Sequence, residues 1–148
     1  MRILPTIFLI AVSSVFTVFS VREPALLGAN SFLSDFVRNQ LVSVIVVIVT
    51  VSLVSVTQIN LEYTRIERRF RQKVFQAPRR TLNISSAILV ALLFLSLLIA
   101  FLKSHFEGFL IATSFIHSAG LMLVFVGAFI MYDLIRVVYA LASEEPFE

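Results

Sequence analysis

Four long apolar stretches divide the chain, and each has about the length of a membrane-spanning helix. They cover residues 3–21, 41–59, 84–102 and 109 to about 132. A helix crosses roughly 30 Å of hydrocarbon with about 20 apolar residues, whereas helices of soluble proteins carry a polar face along their length. The pattern therefore predicts an all-α integral membrane protein in which residues 1–148 form one bundle of four transmembrane helices.

The first apolar stretch follows Arg2 closely, so a cleaved signal peptide that ends near Ser20 is the alternative interpretation. However, the stretch is longer than the apolar core of most signal peptides, and Phe19 occupies a position where cleavage favours a small residue. We therefore expect this stretch to remain in the protein as a helix.

The segment between the first two stretches, residues 22–40, opens with Pro24. Its main apolar residues are Leu26, Leu33, Phe36 and Val37. They are spaced like one face of a short helix, which is typical of a helix that lies on a membrane surface. An irregular loop is the alternative.

Positive charge is concentrated in one connecting segment, residues 60–83. Its basic residues are Arg65, Arg68, Arg69, Arg71, Lys73, Arg79 and Arg80, against Glu62 and Glu67, which gives a net charge of +5. Residues 22–40 and residues 103–108 each carry no net charge. Because basic segments stay in the cytoplasm, we predict that this segment and both termini are cytoplasmic and that the protein resides in the bacterial inner membrane.

The basic segment is expected to begin as a helical extension of the second span, because residues 61–75 contain no helix breaker, and to end at Pro78. Its apolar residues recur at helical spacing and are Tyr63, Ile66, Phe70 and Val74. An amphipathic basic helix predicts binding to anionic lipid headgroups or to a soluble cytoplasmic protein. The net charge of the whole chain is only +3, so a nucleic-acid partner is not expected.

The last span is expected to continue as a helix through Leu141 and to end in an acidic tail, residues 142–148. From Asp133 onward the chain has four acidic residues and one basic residue, a net charge of −3. The tail shares the predicted cytoplasmic side with the basic segment, so we expect the two to attract each other.

Hydroxyl side chains form a column along the second span. Ser43, Thr50 and Thr57 are separated by seven residues each, a spacing that returns to within about 20° of the same line on a helix. The first span has a second hydroxyl column with the same spacing, formed by Thr6, Ser13 and Ser20. Close packing between helices is one explanation of such columns, and the lining of a water-filled pore between subunits is the other.

His117 is the ionisable residue that lies well within an apolar span. Such residues usually face the interior of a bundle or a cavity, and they often have a functional role. Gly120 and Gly127 share its helix face, which suits either close helix packing or a constriction in a pore. A pH-sensing or gating role for His117 and a structural hydrogen bond are both open at this point.

The sequence offers little support for chemical catalysis or metal binding. It has no cysteine, which excludes thiolate chemistry, and it carries neither a phosphate-binding glycine loop nor a nucleophile or zinc-protease motif. His105 and Glu107 share the short turn after the third span, but two ligands are too few for a zinc site. We predict a protein that is not an enzyme and that needs no cofactor or metal.

The tetrapeptide Ser114-Phe115-Ile116-His117, the arginine-rich segment and the acidic tail resemble the small four-span superinfection-exclusion membrane proteins of temperate phages. This resemblance implies an oligomeric, channel-like effector that depolarises an infected cell. The predicted function is therefore a small homo-oligomeric membrane channel or membrane-perturbing effector in phage exclusion or defence. The alternative is a non-conducting scaffold whose basic segment recruits a soluble protein.

Overall fold

The computed structural model describes residues 3–70, 75–106 and 108–143, and all regular secondary structure in these ranges is helical. The helices are α1 (Ile3–Arg22), α2 (Pro24–Gly28), α3 (Ser31–Asp35), α4 (Leu41–Phe70), α5 (Gln76–His105) and α6 (Leu110–Ser143). A π-turn over Phe36–Gln40 joins α3 to α4 without a break. The prediction of an all-α protein is confirmed.

Three helical runs are long and apolar enough to cross a membrane, and they are Ser31–Arg69, Gln76–His105 and Leu110–Ala140. Large apolar side chains cover their outer surfaces; Phe94 and Phe101 on α5 are 67% and 73% exposed. A surface of this kind is unfavourable in water and suits lipid. These features are those of a membrane protein. In α1 the apolar run of described residues, Leu9–Arg22, is shorter, so the number of four spans stays a prediction.

Helix α6 holds the bundle together, because it packs against α1, α2, α4 and α5. Helices α4 and α5 also pack against each other, whereas α1 contacts α6 and α2. The residues buried between α4, α5 and α6 are mostly branched aliphatic side chains, including Leu41, Ile45, Ile59 and Leu89. Because lipid is as apolar as these side chains, close packing rather than exclusion of water stabilises the contacts between membrane helices.

Glycines lie at points where α2 and α4 come close to α6. A Cβ atom added to Gly120 would come within 3.1 Å of Val37 Cγ2, and one added to Gly127 within 3.1 Å of Ile48 Cγ2. Gly28 of α2 is tighter still, because an added Cβ would lie 2.6 Å from the backbone oxygen of Leu110. These contacts place α4 and α2 directly against α6.

The segment between α1 and α4 differs from the single surface helix that the apolar spacing predicts. It forms two five-residue helices, and the side chain of Asn30 caps the second by accepting a hydrogen bond from Leu33 N at 3.2 Å. Leu33 and Val37 are buried in the bundle, whereas Leu26 is 56% exposed. The predicted apolar face is therefore divided, because Leu26 is exposed although its helix α2 packs on α6.

The connection between α4 and α5 also differs from the prediction in one respect. Helix α4 continues through Phe70 as expected, but Pro78 lies in the first turn of α5 and does not end the preceding helix. Proline suits a first turn because its missing N–H group would have no helical partner there. Arg71, Lys73 and the end of the acidic tail, residues 144–148, lie outside the described residues.

Replacing Gly28 by alanine is expected to destabilise the fold more than replacing Gly127. The new Cβ at position 28 meets a backbone oxygen, which cannot rotate away, whereas at position 127 it meets flexible side-chain methyl groups. Overpacking of this kind costs about 1–3 kcal/mol, more than the roughly 1 kcal/mol that alanine gains over glycine in a helix. Thermal unfolding in detergent, followed by circular dichroism, measures the two effects, and the opposite order would contradict the packing of α2 on α6.

Candidate functional site

The hydroxyl column of α4 lies on the outer surface of the bundle. Ser43, Thr50 and Thr57 are all exposed, whereas the opposite face of α4 is buried against α5 and α6. Thr50 Oγ1 donates to the carbonyl of Val46 at 2.8 Å, and Thr57 Oγ1 donates to the carbonyl of Leu53 at 2.9 Å. The lone pairs of these hydroxyls therefore face outward, toward lipid or a neighbouring molecule.

Of the hydroxyl column of α1, Ser20 faces α6 rather than α4, and the side chain of Thr6 lies outside the described residues. Ser20 is completely buried, and its Oγ lies 2.7 Å from Ser118 Oγ of α6. Ser118 in turn donates to the carbonyl of Ser114 at 2.9 Å. Ser20 thus connects two helices.

His117 lies inside the bundle with no exposed surface. Its Nδ1 atom is 2.7 Å from the carbonyl oxygen of Leu27, and its Nε2 atom is 2.7 Å from Lys103 Nζ. A carbonyl oxygen only accepts hydrogen bonds, so Nδ1 carries the proton of the neutral ring and Nε2 accepts one from the lysine. The imidazole therefore bridges α2 and α5.

Lys103 is the functional candidate that the sequence pattern did not identify, because it was counted only as a charge in the turn after the third span. In the structure it belongs to the last turn of α5 and is 3% exposed. It donates to the carbonyl oxygen of Ser34 at 2.9 Å, to Ser34 Oγ at 2.7 Å and to His117. Its position directly after the apolar run that ends at Leu102 is no signal of burial, because such a lysine usually extends toward the membrane surface.

Leu27, Ser34, Lys103 and His117 together form what we name the lysine–histidine cluster. The Leu27 carbonyl lies near the end of the five-residue helix α2, where the last carbonyls lack partners within the helix, and the Ser34 carbonyl lies just before the irregular π-turn. His117 binds the first and Lys103 the second. The cluster holds α2 and α3 against α5 and α6, at the end of the molecule where α5 meets α6.

At the opposite end, the connection between α4 and α5 is fixed by a second polar contact. Glu67 Oε2 accepts a hydrogen bond from Arg79 Nη2 at 2.9 Å, and Glu67 Oε1 accepts one from the backbone nitrogen of Phe75 at 3.1 Å. Arg79 also donates to Thr64 Oγ1 at 3.1 Å. The ring of Tyr63 stacks on that of Phe75, with centroids 4.5 Å apart. We call these residues the basic-end clamp.

Several of the predicted lipid- or partner-binding residues surround this clamp as an exposed basic surface. Arg68, Arg69 and Arg80 are exposed, and Arg65 is exposed and pairs with Glu62 at 2.7 Å. Exposed ion pairs contribute little stability, so Arg65 remains available to an anionic ligand. Arg79, in contrast, serves the internal contact with Glu67.

We expect His117→Leu to destabilise the protein and His117→Gln to do so far less. The amide of glutamine has an NH2 group that donates and an oxygen that accepts, so it can bind both the Leu27 carbonyl and Lys103, whereas leucine can bind neither. A buried polar group left without its partner costs about 1–3 kcal/mol. Unfolding of each variant by a titration of SDS into detergent micelles measures the difference, and equal stability of the two variants would show that these hydrogen bonds contribute nothing.

Comparison of the chain with models of protein families, with curated proteins and with solved structures finds no match. Three features of the molecule bear on function: the exposed hydroxyl column of α4, the lysine–histidine cluster and the basic surface around the basic-end clamp.

Proposed function

We propose that this chain crosses the membrane four times, with α1 as the fourth span, and associates with copies of itself to form an ion-conducting pore. The exposed hydroxyl column of α4 carries the proposal. Ser43, Thr50 and Thr57 point away from their own subunit, on the helix whose opposite face is buried against α5 and α6. In a ring of subunits this column would face a shared central path.

A path between subunits suits this molecule better than a path within one subunit. The described residues buried between α4, α5 and α6 are mainly apolar, such as Ile45, Leu89 and Leu123, and the buried hydroxyls on these helices, Ser52 and Ser96 among them, are few. A wall of threonine and serine hydroxyls, by contrast, offers hydrogen bonds to water and to ions. In an oligomer with cyclic symmetry, every subunit presents the same surface to the central axis, and together these surfaces enclose a path.

The proposed orientation places both termini and the basic surface in the cytoplasm of a bacterium, at the inner membrane. There the exposed guanidinium groups of Arg68, Arg69 and Arg80 would bind anionic lipid headgroups, an attraction worth about 1 kcal/mol per basic residue near the membrane surface. The resemblance to superinfection-exclusion proteins places the proposed pore in phage exclusion, where conduction would depolarise the infected cell.

Thr50→Leu is expected to suppress ion flux several-fold without preventing assembly. It replaces a pore-facing hydroxyl by an apolar side chain, which cannot form hydrogen bonds to water. The matched control is Thr17→Leu on α1. Thr17 is also exposed and donates to the carbonyl four residues before it at 2.8 Å, so both substitutions remove the same local bond. Ion flux into liposomes containing the purified protein, together with its oligomeric mass in detergent, measures the effect.

Suppression of flux by Thr50→Leu but not by Thr17→Leu would support the α4 column as the pore wall. Suppression by Thr17→Leu alone would place the path along α1 and overturn the assignment. A wild-type protein that forms a defined oligomer and conducts nothing would overturn the pore itself.

A second candidate function is a non-conducting scaffold that recruits a soluble protein. The observation that favours it is the way the basic surface is held: the ion pair of Glu67 with Arg79 and the stacking of Tyr63 on Phe75 attach the end of α4 to the start of α5, while Arg68 and Arg69 of α4 are exposed. A fixed set of guanidinium groups suits an acidic protein surface.

If the scaffold is correct, reversing the charge at Arg68 and Arg69 to glutamate should abolish recruitment, because both lie outside the internal ion pair. Arg136→Glu is the control, since Arg136 is an exposed arginine on α6. Affinity purification from cells, followed by mass spectrometry, measures the bound protein. A soluble protein that stays bound to the double variant, or that Arg136→Glu also releases, would contradict docking at this surface.

A further inference from the structure

We propose that the lysine–histidine cluster is a proton-operated latch that holds α2 and α3 against the bundle at neutral pH and releases them on acidification. The inference goes beyond the proposed pore and does not depend on it, because the movement of α2 and α3 is measured without any ion flux. It rests on the geometry of four hydrogen bonds and on the short length of the helices that they hold.

Lys103 Nζ and His117 Nε2 are 2.7 Å apart, so a single proton lies between the two nitrogen atoms. Nδ1 of His117 is committed as a donor to the Leu27 carbonyl, so Nε2 is the only ring nitrogen that can take up another proton. Either the ammonium donates to the bare Nε2, or a protonated ring donates to a neutral amine, and both states have the same total charge. A second proton places two N–H donors and two positive charges face to face, and the contact then breaks.

Loss of this contact would free the segment that the cluster holds. Helix α2 has only five residues, far fewer than the roughly 12 that an isolated helix needs to be even marginally stable, whereas α3 is the first turn of a run that continues through the π-turn into α4. The cluster contacts one carbonyl of each: Leu27 in α2 through His117, and Ser34 in α3 through Lys103. When Lys103 and His117 repel each other and separate, either α3 moves with Lys103 or α2 moves with His117.

The elements packed around the cluster contribute few other groups that respond to pH. Within the described ranges, Lys103 is the charged side chain that contacts the ring of His117. The other charged or titratable residues of α1, α2, α3, the π-turn and α5 at this end are exposed, and they are Arg22, Glu23, Asp35, Arg38 and His105. Glu107 lies outside the described residues. Imidazole is the side chain that ordinarily changes charge between about pH 5 and 8, and His117 is the histidine buried in this cluster.

Release of α3 would directly affect α4, the helix that follows it. Ser34 lies two residues before the π-turn that joins α3 to α4, and Val37 of that turn packs against Gly120 of α6. A π-turn is a weak point in a helix and often marks a functional site. Movement of α3 would thus bend or shift the start of α4, the helix that carries the outward hydroxyl column.

The absence of cysteine allows the movement to be measured with spin labels on the full chain. Phe32→Cys on α3 and Phe94→Cys on α5 are both highly exposed positions, at 69% and 67%, so the labels leave the packing intact. Double electron–electron resonance gives the distance between them from about pH 8 to about pH 4.5, a range that brackets the titration of imidazole. A second pair, Val47→Cys on α4 with Phe94→Cys, serves as the control.

We expect the distance distribution of the first pair to gain a second, reversible population in acid, and that of the second pair to change much less. His117→Gln should abolish the change, because its amide keeps both hydrogen bonds and takes up no proton. A distance that does not respond to pH in the wild type, or that responds equally in His117→Gln, would overturn the latch; the second result would assign the response to the exposed acids or to His105.

A measurement on the native His117 protects the test against misfolding of the glutamine variant. His105→Gln leaves one histidine in the chain, so the ¹⁵N signals of a histidine-labelled sample belong to His117 alone. At neutral pH they should show a protonated Nδ1 and a bare Nε2. The midpoint at which Nε2 gains its proton should coincide with the midpoint of the distance change, and protonation without movement would contradict the latch.

Discussion

The hydrogen bonds that Lys103 and His117 make to the carbonyls of Ser34 and Leu27 are the contacts on which the arrangement of this molecule most depends. Polar groups that are removed from water and surrounded by apolar side chains must find partners within the protein. The last carbonyls of the five-residue helix α2 lack partners within that helix, and the Ser34 carbonyl of α3 lies beside the irregular π-turn. A buried lysine and a buried histidine satisfy them, and in doing so they decide where the chain enters α4 and how α4 meets α6.

Close packing of α2 and α4 against α6 is the second interaction that stabilises this arrangement. Gly28, Gly120 and Gly127 allow α2 and α4 to approach α6 so closely that a methyl group would not fit without movement of its neighbours. Between membrane helices there is little gain from excluding water, so this proximity is itself the stabilising interaction. Polar contacts at one end and small residues along the length therefore act together, and neither alone would hold the five-residue helices in place.

Hydropathy is sufficient to predict the long helices, because the thickness of a membrane imposes an apolar length that few soluble proteins need. It does not predict where the helices end: α5 begins at Gln76, eight residues before the apolar stretch, since a helix continues into water wherever its backbone bonds are satisfied. The seven-residue spacing of Ser43, Thr50 and Thr57 is likewise visible in the sequence, but spacing places residues on one face without saying which way that face points.

Lys103 shows why the site itself is harder to predict than the helices. A lysine directly after an apolar run is typical of a residue that extends toward the membrane surface, and nothing local distinguishes it from one that turns inward. Its burial depends on Ser34 and His117, which lie 69 residues before it and 14 residues after it along the chain. Only the packing of α3 and α6 on α5 brings those acceptors together, and no periodicity within a single segment records that packing.

Helix α4 is held at both ends by polar contacts and is exposed between them. Near its start, Val37 and Leu41 pack on Gly120 beside the lysine–histidine cluster, and near its end Glu67 binds Arg79. A displacement at the start of α4 would therefore be largest beside the cluster and would decrease toward Glu67. The outer face of α4 carries the hydroxyl column, and the latch lies where α4 is joined to α3 by a π-turn rather than by a continuous α-helix. In the proposed oligomer, a proton bound at one surface of the membrane would therefore change the spacing of α4 helices beside the cluster, without any conformational change in the basic-end clamp.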